Sequence, residues 1–138
     1  MRKLILDTNV LVSSLIQRSY PFLIVNEIFT GDKIELCISG QLMSEYYEVL
    51  NRRKFSKYPD FLFRAEQMLS DIDRKATLFY PKIIVEIISD VADNRLLELA
   101  AESNADFLIT GNTNDFTMKK YKNTSIISPK DYYENYGS

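Results

Sequence analysis

The amino-acid sequence predicts an α/β fold, a mainly parallel sheet covered by helices on both faces. Three observations carry that prediction. Short apolar runs alternate with longer segments whose apolar residues recur every three or four positions. Several of the short runs end at Asp or Ser, residues suited to start a helix. No repeat, linker or low-complexity tract divides the 138 residues, so one domain spanning 1–138 is expected. Parallel strands need crossover connections, and helices buried against both faces supply them.

The elements follow in order. Leu4 to Leu6 is a short apolar strand ending at Asp7. Ser19-Tyr20-Pro21 starts a helix with the stripe Phe22, Val25, Ile28 and Phe29, and Gly31 stops it. Ile34 to Ile38 is the second strand, and Ser39 caps a helix carrying Leu42, Met43, Tyr46 and Leu50. That helix ends near Arg52-Arg53-Lys54. Pro59 opens another, with Leu62, Ala65, Leu69, Ile72 and Ala76 on one face. Ile83 to Ile88, rich in branched residues, is expected as the third strand. Asp90 caps a helix from about Ala92 to Glu102, packed through Leu96, Leu97, Leu99 and Ala100. Phe107 to Ile109 is the fourth strand, followed by a short helical turn after Thr113. Ser125 to Ile127 is the fifth, and Ser128-Pro129-Lys130-Asp131 begins a last helix.

Composition narrows the chemistry. A hydrophobic fraction of 46% supplies a core. There is no histidine, which excludes histidine acid–base catalysis, Ser-His-Asp and Cys-His triads, and imidazole-bound metals. The single Cys37 excludes an internal disulfide and a zinc cluster, and suits a reducing, cytoplasmic setting. No stretch approaches membrane-spanning length, and the basic-then-apolar start meets Asp7 too soon for a signal peptide. With 17 basic and 19 acidic residues the formal net charge is -2, so nucleic-acid binding would need a local basic patch.

An enzyme of this composition rests on carboxylates, alone or with a hard cation. Asp7 follows an apolar strand; it is either a cap or part of a site. Thr8 and Asn9 either orient that carboxylate or make local turn bonds. Glu45 sits beside the inward face of its helix, either a buried carboxylate in need of a partner or metal or a solvated helix-edge glutamate, whereas Glu48 belongs to the exposed side. Asp90 and Asp93 open a helix, where acids are electrostatically favoured, and Asp93 can also point over the strand ends. In the segment from Ile109 to Phe116, Asn112 is expected to clamp the loop and Phe116 to anchor Asp115. A parallel sheet gathers strand-end residues at one edge. Close carboxylates there raise one another's pKa unless a cation neutralises them, and Mg²⁺ or Mn²⁺ suits such oxygen donors.

At these residues the sequence resembles the PIN-domain ribonucleases, and specifically VapC-like toxins of toxin–antitoxin pairs. The pieces that carry the resemblance are Leu6-Asp7-Thr8-Asn9-Val10-Leu11-Val12-Ser13, Glu45 within Leu42-Met43-Ser44-Glu45-Tyr46, Asp93-Asn94-Arg95-Leu96-Leu97-Glu98-Leu99-Ala100, and Ala105-Asp106-Phe107-Leu108-Ile109-Thr110-Gly111-Asn112 continuing to Asp115-Phe116. Ile127-Ser128-Pro129 resembles the family's closing strand and helix start. The likeness runs through nearly the whole chain in order. It implies a three-layer α/β/α sandwich with about five strands. It also implies an acidic metal pocket of Asp7, Glu45, Asp93 and Asp115, holding one or two Mg²⁺ or Mn²⁺ ions. Asp7 would be the central ligand and Asp93 would share coordination, while Glu45 and Asp115 complete the pocket. Thr8, Asn9 and Asn112 would support these groups or orient substrate. Some relatives carry an aspartate where this chain has Asn112, and the fourth acidic role then falls to Asp115. A haloacid-dehalogenase-like phosphatase is disfavoured, because Asn9 stands where that family has its second aspartate.

The resemblance implies metal-assisted hydrolysis of RNA, single-stranded or looped, leaving a 5′-phosphate and a 3′-hydroxyl. Backbone phosphates would find Arg52, Arg53, Lys54 and Lys57 after the Glu45 helix, or Lys119, Lys120 and Lys122 after Asp115. Solubility is the bland account of both patches. Tyr20, Tyr46, Tyr47 and Tyr58 are candidates for stacking on bases or for helix packing. A cognate antitoxin protein and a homodimer are expected partners. The alternatives are a housekeeping PIN nuclease in RNA maturation or quality control, and a catalytically weak RNA- or protein-binding module.

Overall fold

Leu4, Ile5 and Leu6 have no exposed surface because strand β1, Arg2–Leu6, lies inside the sheet and is covered on both faces. In the computed structural model, which describes residues 1–137, the chain continues as α1 (Thr8–Ile16), α2 (Tyr20–Thr30), β2 (Ile34–Ser39), α3 (Gly40–Leu50), α4 (Phe61–Lys75), β3 (Thr77–Phe79), α5 (Val91–Ser103), β4 (Phe107–Ile109), β5 (Lys120–Tyr121), β6 (Thr124–Ile127) and α6 (Pro129–Tyr136). Short 3-10 turns occupy Arg53–Lys57 and Thr113–Asp115.

The sheet order is β3-β2-β1-β4-β6-β5. Leu4 lies opposite Leu36 of β2 and Phe107 of β4, and these pairs are parallel, as are β2–β3 and β4–β6. Only β5 runs antiparallel, against β6. The chain moves outward from β1 to β2 and β3, then crosses back to place β4 on β1's other side. That reversal makes the gap between the carboxyl ends of β1 and β4 a topological switch point, where open α/β sheets place their ligands. Right-handed crossovers running in opposite directions put α5 on the face opposite α1 and α2. Consistent with a helix enclosed by its surroundings, α5 buries Asn94, Leu96, Leu97, Glu98, Leu99, Ala100 and Ser103.

Most expected elements form, with local chemistry as anticipated. Ser39 Oγ accepts from the Leu42 N–H at 3.1 Å, Asp90 Oδ1 from Ala92 at 2.8 Å, and Ser128 Oγ from Asp131 at 3.1 Å. Gly31 ends α2. The sheet has six strands rather than about five: β5 is a two-residue edge strand turned back by Lys122, whose φ is +52°. Residues 83–88 are not the third strand. That place is taken by β3, paired with Cys37, Ile38 and Ser39. The backbone of residues 85–88 bonds instead to the buried side chains of Glu98 and Asn94, so it has no need of a neighbouring strand. Helix α1 follows Asp7, for which the sequence offers only a cap and no defined helix before Ser19. In α4 the buried first-turn residue is Phe61, and Leu62 is 44% exposed.

Candidate active site

Asp7 is positioned by the end of β1 on one side and the start of α1 on the other. Its backbone N–H continues the ladder to the Ile109 carbonyl at 2.9 Å, placing it beside β4. Oδ1 caps α1 by accepting from the Thr8 N–H at 2.8 Å. Oδ2 accepts from Thr110 Oγ1 at 2.8 Å and, more weakly, from Asn9 Nδ2 at 3.3 Å. Asp7 is therefore a helix cap that also stands at the switch point between β1 and β4.

Glu45 reaches the same place from α3. The fully buried Tyr46 donates its hydroxyl to the Leu6 carbonyl at 2.5 Å, which fastens α3 across the carboxyl end of β1. Its neighbour Glu45, half-buried, accepts from the Thr8 hydroxyl. Thr8 thus links Asp7, through its backbone, to Glu45, through its side chain. Asp93 stands in the first turn of α5, its N–H donating to Asp90 at 3.2 Å. Asp115 ends the 3-10 turn after β4 and is exposed, while the buried Phe116 anchors that turn. Asp90, Asp93 and Asp115 share a cleft of about 310 Å³ with Ile87, Ile88, Ser89 and Thr117.

The acids act on one another electrostatically. Burial raises the Asp7 pKa despite the bonds from Thr110 and Thr8, and the charges of Glu45 and Asp115 raise it further. Burial also pushes Asp93 to about 6, with Asp90, Asp7, Asp115 and Glu45 adding in that order. All four expected acids thus act within one electrostatic neighbourhood, supplied by β1, α3, α5 and the turn after β4. A cation would relieve this repulsion. Among the described residues, however, no three acidic or cysteine side chains stand together as a closed ligand set. The donors are hard oxygens throughout, and Cys37 is buried within β2. Such a set fits an ion that binds one or two carboxylates and keeps several waters, as Mg²⁺ does.

Two supporting roles differ from expectation. Asn112 does not clamp the loop with its side chain, which is exposed. Asn9 performs that task, its Oδ1 accepting from the Gly111 N–H at 2.9 Å. A Cβ on Gly111 would come to 3.3 Å from that oxygen, so glycine permits the approach. Asn112 contributes only its backbone N–H, which donates to Thr110 Oγ1 at 3.0 Å. Thr110, with no exposed surface, is the residue that sequence reasoning missed. The Thr-Gly pair after an apolar strand was its only local signal.

The basic residues lie elsewhere. Arg52 pairs with Glu48 at 2.8 Å, while Arg53, Lys54 and Lys57 are exposed around the first 3-10 turn. Lys119, Lys120 and Lys122 are exposed around β5. None of the seven lines the acidic cleft. Of the four tyrosines, Tyr46 is enclosed and unable to stack on a base. Tyr20 and Tyr47 donate to Glu134 and Asp73, and Tyr58 lies against Phe61. Among the described residues no helix is long and apolar enough to cross a membrane.

A family model described as PIN domain matches residues 3–114, which include Asp7, Glu45 and Asp93 and stop one residue short of Asp115. No curated protein matches the sequence. The crystal structure of VapBC2 from Rickettsia felis, bound to a DNA fragment from its promoter, shares the fold. The match covers 91% of this chain and 98% of that one, with a TM-score of 0.57 and 15% sequence identity. Strand order, switch-point carboxylates and the family match over most of the chain agree: this chain belongs to the PIN-domain family.

Proposed function

We propose that the chain is a divalent-metal-dependent ribonuclease of the VapC-like kind, the toxin of a toxin–antitoxin pair, acting as one domain over residues 1–138. The observation that carries this reading is that acids from four separate elements lie around a switch point, where Glu45 and Asp115 help to raise the Asp7 pKa and Asp7, Asp115 and Glu45 help to raise that of Asp93. Acids placed so that Asp7 and Asp93 are harder to ionise are poorly suited to stability and well suited to a cation.

Asp7 and Asp93 would hold Mg²⁺ or Mn²⁺, with Glu45 and Asp115 completing the donor set. When bound, the ion supplies an activated nucleophile at neutral pH and shields the charge developing on the phosphate. Thr110 and the Thr8 N–H hold Asp7 in one orientation, leaving its carboxylate little freedom. Thr8 holds Glu45, which would order the attacking water, and Asp115 lines the cleft with Asp93. Water adds to phosphorus and the bond from phosphorus to the 3′ oxygen breaks, leaving a 5′-phosphate and a 3′-hydroxyl. Asn9 holds the Gly111 loop, and Asn112 is free to meet substrate. Arg53, Lys54 and Lys57, with Arg52 and with Lys119, Lys120 and Lys122, would attract the RNA backbone from outside the cleft.

An antitoxin protein and a second copy of the chain are the proposed partners, in the cytoplasm. Among the described residues no three carboxylates form a closed set, and a weakly catalytic binding module is the second reading. A mixed RNA pool incubated with EDTA, Mg²⁺ or Mn²⁺ separates the two: the nuclease reading expects cleavage only with metal. Expression toxicity suppressed by a neighbouring gene product tests the toxin role.

A further inference from the structure

Between β3 and α5, residues 80–90 form no regular structure, yet α5 holds their backbone tightly. Asn94, 4% exposed, accepts from the N–H of Ile88 at 3.0 Å and of Ile87 at 3.3 Å, and donates to the Ile88 carbonyl at 2.7 Å. Glu98, 3% exposed, accepts from the Val85 N–H at 2.9 Å and pairs with Arg95 at 3.1 Å. An exposed loop meets its backbone needs with water. Two buried polar side chains committed to four backbone groups make this stretch a fixed wall. Asn94 directly follows Asp93, so the wall and that acid are set by the same turn of helix.

Ile87, Ile88 and Ser89 form one side of the cleft that holds Asp90, Asp93 and Asp115. Ile87 remains 53% exposed there. Ile84, 76% exposed on the same stretch, belongs to a different depression beside β3 and Arg95. A half-open apolar side chain next to carboxylates has no match in a phosphate, which is polar and charged. It does match the face of an unstacked base, which is flat and apolar, whereas duplex bases present no free face.

We propose that Ile87, Ile88 and Ser89 are the base-side wall of the cleft, that Ile87 is the specificity-determining contact for an unstacked nucleobase of single-stranded RNA next to the scissile phosphate, and that Asn94 is the positioning residue holding that wall. The proposal rests on the nuclease reading above.

The test compares kcat/KM on a single-stranded RNA oligonucleotide with kcat/KM on an abasic ribose-phosphate diester of the same length, which offers no aromatic ring, both in Mn²⁺. Ile87→Ser is expected to lower the RNA-to-diester ratio at least about fivefold, through KM for RNA. Ile84→Ser, the same substitution at a more exposed isoleucine outside the cleft, is expected to keep the wild-type ratio. Asn94→Ala is expected to lower the ratio as well. Its Ile87 and Ile88 amides should then exchange with solvent faster while the α5 amides stay protected. A wild-type ratio in Ile87→Ser, or an equal fall in Ile84→Ser, overturns the proposal while leaving the nuclease reading intact. A wild-type chain that cleaves neither substrate overturns both.

Discussion

Thr110 donates a hydrogen bond from Oγ1 to Asp7 Oδ2 at 2.8 Å, joining residues 103 positions apart. The same hydroxyl oxygen accepts from the Asn112 N–H, so Thr110 is oriented before Asp7 uses it. Thr110→Val keeps the volume and removes the donor. A hydrogen bond to a charged group contributes about 1.5–3 kcal/mol, and loss of such support to a metal ligand lowers activity about tenfold to a hundredfold. Thr110→Ser, which keeps the hydroxyl, retains most of the metal-dependent cleavage. Equal activity of the Val and wild-type chains would remove Thr110 from the site.

Tyr46 makes a second link, between α3 and the last residue of β1. Tyr46→Phe leaves the ring in place and removes a buried donor, costing about 1–2 kcal/mol. Thermal unfolding should report that loss as a fall in Tm of roughly 3–8 °C. Cleavage should fall too, because Glu45 rides on the same turn of α3. A variant with unchanged Tm would show that Leu6 does not need this bond.

Asp93 ties stability to pH. Its folded value of about 6 exceeds its ordinary value of 3.8, so the folded state favours the neutral acid. That stabilisation is full below about pH 4 and is lost as pH rises through about 6. Without metal, Asp93→Asn should therefore be more stable than wild type at pH 7. The gain is on the order of 1 kcal/mol after discounting for solvent around Asp93, and it should vanish near pH 4. Melting curves at the two pH values check this. A gain of equal size at both would place its cause outside this ionisation.

Asp90 has two separable effects. As N-cap it accepts from Ala92 and Asp93, and as a charge it is the leading neighbour raising the Asp93 pKa. Asn caps about as well as Asp, so Asp90→Asn should keep stability within about 0.5 kcal/mol. The Asp93 carboxyl should then titrate below its wild-type value, by NMR. Burial, the larger cause, remains, so the value stays above 3.8.

What the sequence made legible was local chemistry. Ser39, Asp90 and Ser128 cap helices as their side chains dictate, and the apolar runs at Leu4 and Phe107 lie where the sheet is most enclosed. What escaped was set by distant partners. Helix α1 contains Val10, Val12 and Ile16, poor helix formers, yet Asp7 caps it and it packs against α2, α3 and α4. Residues 83–88 have strand-like composition, but Asn94 and Glu98 claim their backbone groups. Asp7, Asp93 and Asp115 stand out in the sequence because each lies at or beside the end of an element, and Glu45 because it borders the buried face of α3. Thr110 does not, because its role exists only once β4 lies beside β1.

The central claim is that Asp7 anchors a metal-dependent nuclease centre. Asp7→Asn keeps the size of the side chain and removes the charge that a cation needs. The direct measurement is cleavage of a mixed RNA pool in Mg²⁺ or Mn²⁺ by the wild-type chain and by Asp7→Asn, with circular dichroism confirming that both fold. The expected result is metal-dependent cleavage by wild type and little by the variant. Metal-dependent cleavage that survives in Asp7→Asn would contradict the account.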